Sequence, residues 1–283
     1  MSNSVVITSI QSLLDTIDKL KSIYGKSAYG EWGAIDSSYD FCYRGIKNLS
    51  YKLMPRAVNS DLCYTPYDLY DKPLEEFQRE ANGYLRNICS NDTLLWMQYA
   101  QHYGVPTRLL DFSANPLVAL YFACQDNSYD GVLWIINVKR YIWVSHQTYM
   151  RKFNVNSLFA KEYLEKISSY SWEDNVYPAY FVPDYIDTRM NTQSSRFLLW
   201  PKRSFSLEEL IKPENILLLE KPNANKPTFD RYILKAIVPS NFKTSLLREL
   251  DNLGINEKNL FPGLDSIGKY INSVFTPGYR LYD

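Results

Sequence analysis

The sequence predicts a mixed α+β protein, in which helices flank a central and mostly antiparallel sheet. Apolar residues at helical spacing mark several amphipathic helices, and short apolar runs bounded by glycine or polar residues mark strands. No internal repeat or low-complexity linker divides the 283 residues. We therefore expect a single domain over residues 1–283, either as one unit or with a C-terminal lobe that begins after about residue 222.

The first half of the chain is predicted to be mainly helical. One helix begins after Asp92, a candidate N-cap, and ends before Gly104, because glycine is favoured directly after a helix. Pro116 suits the first turn of another helix. The predicted helices are 10–20, 73–88, 93–103 and 117–124, and the predicted strands are 41–45 and the buried apolar run 132–136.

The second half alternates between strands and helices. Ser206 and Glu209 have the spacing of a capping box, Ser240 is a candidate N-cap, and Gly254 is a candidate helix-ending glycine. Residues 223–227 form a turn-rich break. The predicted helices are 157–167, 240–253 and 264–274, and the predicted strands are 179–182, 197–200, 216–219 and 232–238.

The charge balance limits the classes of partner. Lys plus Arg number 31, as do Asp plus Glu, which argues against a strongly basic nucleic-acid-binding protein but permits a local basic cleft. No apolar run reaches the roughly 18–20 residues that a membrane-spanning helix needs. The N-terminal segment also lacks the pattern of a secretion signal. We therefore expect a cytoplasmic protein that does not act at a membrane.

A metal site is not expected. The four cysteines are widely spaced and form no C-x-x-C pair, and the chain has only two histidines. These residues are Cys42, Cys63, Cys89, Cys124, His102 and His146. Ligands scattered in this way would have to gather from distant segments to bind zinc, so we expect reduced and partly buried thiols.

The stretch from residue 98 to residue 124, QYAQHYGVPTRLLDFSANPLVALYFAC, is the densest in polar groups set among apolar ones. Gln101 and His102 end a predicted helix, and Arg108 and Asp111 follow in an apolar segment that we interpret as a loop. An unpaired buried charge is costly, so one expectation is an ion pair between Arg108 and Asp111. The alternative is that the loop holds these groups beside a cleft, as functional loops often do.

A second cluster, FCYRG at residues 41–45, places an arginine at the end of a strand. Arg44 could present its planar guanidinium to a phosphate or carboxylate, and Gly45 would let either backbone or ligand approach closely. A third polar group, RMNTQSSRF at residues 189–197, could serve function or simply cap the strand that follows it. The sequence contains no P-loop, G-x-G-x-x-G, H-E-x-x-H or G-x-S-x-G motif.

Three of these segments together resemble a known family. FCYRGI, the following YKLMPR, and AQHYGVPTRLLDFSANPLVALYFAC resemble, in this order, the FRG domain, which is named for a Phe-x-Arg-Gly signature. Here the signature triplet is YRG, so an aromatic residue is retained. The segment FKTSLLRELDNLGINEKNLFPGLDSIGKYI resembles the end of that family, which is mainly bacterial and associated with phages.

A looser similarity is to the ADP-ribosyltransferases and their fold. It implies that Arg44 holds NAD and that Gln193 stands where a transferase commonly has Glu. Either another acid, Glu75 or Asp111, then supplies the carboxylate, or the protein binds NAD without transferring ADP-ribose. The candidate catalytic residues are Arg44, His102, Ser113 and Gln193, and the candidate ligand-binding residues are Tyr43, Gly45, Gln101, Tyr103, Arg108 and Asp111.

Three classes of function remain open at this stage. The first is an enzyme that uses NAD as a substrate, either a transferase or a glycohydrolase, acting as a bacterial toxin or an anti-phage effector. The second is a module that binds a nucleotide-type small molecule or a nucleic acid, for which the local basic residues are Lys52, Arg56, Arg79 and Arg86. The third is a protein-interaction module without catalysis. We also predict that Arg44, His102 and either Arg108 or Asp111 line one pocket, because polar groups inside apolar segments must be satisfied by tertiary structure.

Overall fold

The computed structural model describes residues 5–24, 41–59, 70–85, 92–145, 177–183, 186, 188–220 and 230–275. Seven strands form one sheet in the order β1-β7-β4-β2-β3-β6-β5. All neighbouring strands are antiparallel except β1 and β7, which are parallel. The strands are β1 (Val5–Val6), β2 (Phe41–Ile46), β3 (Leu109–Ser113), β4 (Gly131–Asn137), β5 (Ala179–Phe181), β6 (Ser195–Leu199) and β7 (Ile233–Val238).

Helices complete the predicted α+β class, which the structure confirms. Within the described ranges they are α1 (Ile10–Tyr24), α2 (Lys72–Ala81), α3 (Thr93–His102), α4 (Pro116–Ala123), α5 (Val138–Val144), α6 (Thr188–Thr192), α7 (Ser240–Asn252), α8 (Glu257–Leu260) and α9 (Leu264–Phe275). No helix in those ranges combines the length and apolarity needed to span a bilayer.

Two groups of helices cover the same face of the sheet. Side chains alternate between faces along a strand, and paired residues of neighbouring strands share a face. Tyr43 of β2 belongs to the core under α1, α4 and α7, whereas Leu109 of β3 belongs to a separate core under α2 and α3. Because Tyr43 pairs with Ser113, which shares the face of Leu109, both cores lie on one side. The opposite face packs on a third core that includes Trp134, and α5 contributes to it.

Helix α4 lies unusually close to the sheet. A Cβ atom added to Gly45 would stand 1.7 Å from the carbonyl oxygen of Ala119, and one added to Gly131 would stand 2.4 Å from that of Ala123. The two glycines and the two alanines, which are one helical turn apart, therefore bring helix and strands together. Of the two expectations for Gly45, close approach by backbone is confirmed.

Several terminal signals behave as predicted. The Asp92 side chain accepts a hydrogen bond from the Leu95 backbone N–H at 3.1 Å, and Gly104 ends α3 with a φ of +81°. The capping box at Ser206 is confirmed by its backbone N–H, which donates to Glu209 Oε1 at 3.1 Å. Gly254 has a φ of +77°, as a helix-ending glycine requires.

Other predicted elements differ from the structure. Residues 109–113 form strand β3 rather than a loop, and the helix expected over 73–88 ends at Ala81. The strand expected at 216–219 is only a single bridge between Ile216 and Ile233. Ser240 is the first residue of α7, and Pro239 occupies the N-cap position. The helix predicted over 157–167 and the break at 223–227 lie outside the described residues.

Candidate functional site

A pocket lies where the two helix groups meet over β2 and β3. Its volume is about 890 Å³ including the open mouth, and its walls come from three strands and three helices. Arg44, His102 and Asp111 all line it, as predicted, although they are far apart in sequence. The other predicted residues on its wall are Tyr43, Gly45, Gln101, Ser113 and Gln193.

The pocket exists because β2 and β3 separate. They pair at Tyr43 and Ser113, and the next inward-facing backbone pair would be Gly45 and Asp111. The backbone groups of even-numbered residues in this segment point toward β6; for example, the Trp200 N–H donates to the Arg108 carbonyl at 2.9 Å. Backbone groups alternate in direction along a strand, so the carbonyl of Asp111 points toward β2. Its hydrogen bond comes from Arg44 Nη1 instead of from the backbone of β2. The Arg44 side chain therefore occupies the gap between the strands.

Arg44 keeps part of its hydrogen-bonding capacity unused. Its Nε is buried and has no hydrogen-bond partner among the described residues. Burial lowers the pKa of the guanidinium, and the neighbouring Asp111 carboxylate opposes that shift. A cation held in this way would favour an anionic ligand.

Asp111 lines the pocket and is the exposed residue of β3. Burial raises the pKa of Asp111, and the charges of Arg44 and Arg189 oppose the shift, as does a hydrogen bond from the Gln101 side chain. Gln101 is itself oriented by Thr107, whose hydroxyl donates to Gln101 Oε1 at 2.5 Å. The carboxyl group is therefore positioned by a chain of side chains that begins outside the pocket wall.

His102 and Tyr103 end α3 but point to different environments. His102 is half-buried and lines the pocket, and its ring stands edge-on to that of Tyr103 with centroids 4.9 Å apart. Tyr103 is 65% exposed, packs near Phe77, and does not line the pocket. Of the two tyrosines among the candidate ligand-binding residues, only Tyr43 lies on the pocket wall.

The predicted ion pair between Arg108 and Asp111 is wrong. Arg108 Nε donates to Asp71 Oδ1 at 2.8 Å, and its Nη1 donates to the Trp200 carbonyl at 2.5 Å. Residues 108 and 111 have opposite parity along an extended chain, so their side chains leave on opposite faces of the sheet. Arg108 is buried behind the sheet and does not line the pocket, in contrast to the ligand-binding role expected for it.

Ser113 and Gln193 line the pocket but are engaged in bonds that hold it together. The Ser113 hydroxyl donates to the Gln193 carbonyl at 2.6 Å and accepts from the Asn115 backbone N–H at 2.9 Å. Gln193 Nε2 donates to the Leu260 carbonyl at 3.0 Å. These contacts join the end of β3 to the turn before β6 and to α8. Their proposed catalytic roles stay predictions.

Arg189 and Gln98 are polar pocket residues that were not among the predicted site residues. Arg189 of α6 lines the pocket with its guanidinium 4.7 Å above the ring centre of Phe261. Gln98 lines it from α3, with 2% of its surface exposed. Both lie in segments that had been singled out for their polar residues, 98–124 and 189–197. The spacing of Gln98 to Gln101 and His102, three and four residues, indicates that the three share one helical face and could have identified Gln98.

The two described cysteines agree with the expectation of reduced and partly buried thiols. Cys42 and Cys124 are buried and free, and burial raises the pKa of the Cys124 thiol to about 12. No group of His, Cys, Asp and Glu within the described residues could hold a metal ion. Cys63, Cys89 and His146 lie outside them.

Comparison with known proteins identifies one family. No curated protein and no solved structure matches the chain. The family model of the FRG domain matches residues 39–131. This segment supplies Arg44, His102 and Asp111 to the pocket, together with the strands that separate to form it. The protein therefore contains an FRG domain, and the pocket is built mainly from it.

Proposed function

We propose that the pocket binds NAD and that Asp111 supports cleavage of the bond between nicotinamide and ribose. The observation that carries this proposal is the presence of one carboxylate beside two arginines and a histidine in a single pocket. Groups of opposite charge in a concave site are typical of enzymes that handle charged substrates.

The charges of the pocket favour a ligand with phosphate groups. Arg44 and Arg189 face a single lining carboxylate, that of Asp111. Arg44, whose Nε has no partner among the described residues, would contact a phosphate group through its guanidinium. Tyr43 offers an aromatic wall to the pocket.

Asp111 fits the chemistry that follows binding. As the bond between ribose C1′ and nicotinamide breaks, its electron pair leaves with nicotinamide and positive charge develops on the ribose. A carboxylate opposite that charge stabilises it. Water or another acceptor then forms the new bond to C1′ and releases a proton, which His102 can take. Glu75, the other acid considered, is exposed and lies 3.5 Å from Lys72 outside the pocket.

The test is nicotinamide release from NAD by the purified protein, measured by chromatography. We expect release by the wild type and a loss of at least about 100-fold in Asp111→Asn, because general acid–base and charge-stabilising groups contribute on that scale. Glu75→Gln is the matched control and should retain full activity. Release that persists unchanged in Asp111→Asn would remove Asp111 from the mechanism.

A second candidate is NAD binding without cleavage. It is favoured by Ser113 and Gln193, because the hydroxyl of Ser113 and the amide nitrogen of Gln193 already bond to backbone carbonyls. Calorimetry separates the two candidates: binding of NAD without any nicotinamide release would establish a binding module. A role as toxin or anti-phage effector would rest on cleavage, because depletion of NAD would be its means of action.

Nucleic-acid binding receives less support. Arg79, one of the basic residues considered for it, forms ion pairs with Glu76 and Glu80 at 2.8 and 2.9 Å. Two carboxylates of its own helix therefore balance the positive charge of Arg79. This leaves the pocket as the better candidate for recognition of a nucleotide.

A further inference from the structure

Gln98 is the most buried of the three polar residues that α3 presents to the pocket. Gln98, Gln101 and His102 stand at positions i, i+3 and i+4 of the helix and share one face. Gln101 and His102 are partly exposed, whereas Gln98 has only 2% of its surface exposed. Its neighbours along α3, Trp96 and Met97, are apolar and buried in the core.

Only one of the two polar atoms of the Gln98 amide forms a hydrogen bond with a described residue. Its Nε2 donates to the Leu94 carbonyl at 3.3 Å, a carbonyl that the helix already supplies with a backbone donor. Its Oε1 is buried and accepts no hydrogen bond from any described residue. A buried acceptor without a donor costs stability, and an apolar side chain of similar size would avoid that cost. The fold therefore gains little from an amide at this position.

We propose that Gln98 determines specificity by accepting a hydrogen bond from an exocyclic N–H group on a heteroaromatic ring of the ligand. This inference rests on the proposed NAD site and names the feature of the substrate that the pocket recognises. Both the carboxamide of nicotinamide and the amino group of adenine present such a donor. The terminal amide torsion of Gln is soft, so Oε1 can turn toward the donor at small cost.

The surroundings of Gln98 fit a flat ring. The pocket residues Val118, Phe122, Met190 and Phe197 are apolar, whereas Arg44 and Arg189 would attract phosphate. A heterocycle against apolar walls, fixed by one well-placed polar contact, is the usual mode of small-molecule recognition. A site built to accept one hydrogen bond discriminates strongly against analogues that lack the donor.

The binding test compares three ligands by calorimetry: NAD, its nicotinic acid analogue without the carboxamide N–H, and its hypoxanthine analogue without the adenine amino group. We expect wild type to bind one analogue about tenfold more weakly than NAD. In Gln98→Met, affinity for NAD should fall about tenfold and the discrimination should disappear. The analogue that loses affinity identifies the ring, and a variant that still discriminates like wild type would overturn the proposal.

A thermal test needs no ligand. Gln125→Met is the matched control, because Gln125 is exposed and makes the same contact through Nε2 with the carbonyl four residues earlier, at 3.1 Å. Relative to this control, Gln98→Met should keep its melting temperature or gain up to about 4 °C. A lower melting temperature would show that the fold uses the amide and would overturn the inference. If wild type fails to bind NAD, the proposed function fails, and the thermal test still shows whether the fold uses the amide of Gln98.

Discussion

Arg44 of β2 and Arg108, the residue before β3, each donate a hydrogen bond to a backbone carbonyl, but the rest of the two guanidinium groups is bonded in different ways. Arg108 bonds through three nitrogens, to both oxygens of Asp71 and to the Trp200 carbonyl, and Lys202 lies 3.1 Å from the same Asp71. Arg44 donates to one backbone carbonyl and keeps a buried Nε without a partner among the described residues. An arginine bonded on all sides stabilises the fold, whereas a pocket arginine with an unpartnered nitrogen is the better candidate to bind a ligand.

Removal of Asp71, the carboxylate partner of Arg108, should have the largest effect on stability. Asp71→Ala would leave a buried guanidinium without its carboxylate and should lower the free energy of unfolding by about 3–5 kcal/mol. Urea denaturation measures the change. Asp111→Ala should cost much less, because Asp111 is accessible from the pocket and its side chain is not the sole partner of Arg44. Equal losses in the two variants would mean that both arginines serve the fold.

Gly45, the neighbour of Arg44, is expected to matter for folding because α4 packs directly against it. Gly45→Ala should lower the free energy of unfolding by about 1–3 kcal/mol, because the new methyl group would collide with the α4 backbone at Ala119. Gly83→Ala is the control, since no atom lies within 4 Å of its added Cβ. Chemical denaturation of both variants tests this, and a Gly45→Ala protein as stable as the control would show that α4 can move away.

Arg44→Lys should weaken ligand binding far more than it affects folding. Lysine keeps the charge and much of the apolar stem but loses the planar fork, which should cost about 1–3 kcal/mol of binding free energy. Stability should change by less than about 0.5 kcal/mol. Calorimetry with NAD and thermal melts measure the two effects, with the exposed Arg79→Lys as the control. Unchanged affinity in Arg44→Lys would show that Arg44 does not anchor the ligand.

The smallest expected difference lies in how stability depends on pH. Burial disfavours the Asp71 carboxylate, but the charges and hydrogen bonds of Arg108 and Lys202 hold its pKa below the ordinary value. Its contribution is therefore present above the unfolded pKa of about 3.9 and is lost as pH falls through the folded pKa. Asp111 has a raised pKa, so stability instead falls as pH rises from the unfolded pKa through the folded one.

Unfolding measured across pH separates the two carboxyl groups. Asp71→Asn should reduce the loss of stability on the acid side, whereas Asp111→Asn should reduce the loss as pH rises above about 4. Both substitutions keep the shape of the side chain, so each serves as the control for the other. Identical pH profiles would contradict the assigned directions.

The sequence predicted the pocket better than it predicted its framework. Polar residues in two separate apolar segments must be satisfied somewhere, and this requirement was the basis for predicting that Arg44, His102 and Asp111 share a pocket. The interpretation of residues 109–113 as a loop failed because LLDFS is buried on both faces at most positions and lacks simple alternation. That error also produced the wrong partner for Arg108, since parity along a strand places Asp111 on the other face.

Contacts between segments that are far apart in the chain could not be predicted from the sequence. Nothing in the local pattern marks Asp71, 37 residues before Arg108, as its partner. The role of Gly45 in admitting α4 was one of two alternatives, and only the position of Ala119 decides between them. Gln98 could be placed on the same helical face as Gln101 and His102, but its unpartnered oxygen depends on every neighbour around it.

The sheet order has a consequence for how the FRG match is used in experiments. Residues 39–131 contain β2 and β3 but only the first residue of β4, the strand that pairs with β2 along its whole length. They also lack β6, which pairs with all of β3. An excised 39–131 fragment would expose the unpaired sides of two strands and lose Arg189 from the pocket, so we expect it to aggregate. The match marks where the family is recognisable, and the unit of folding extends well beyond it.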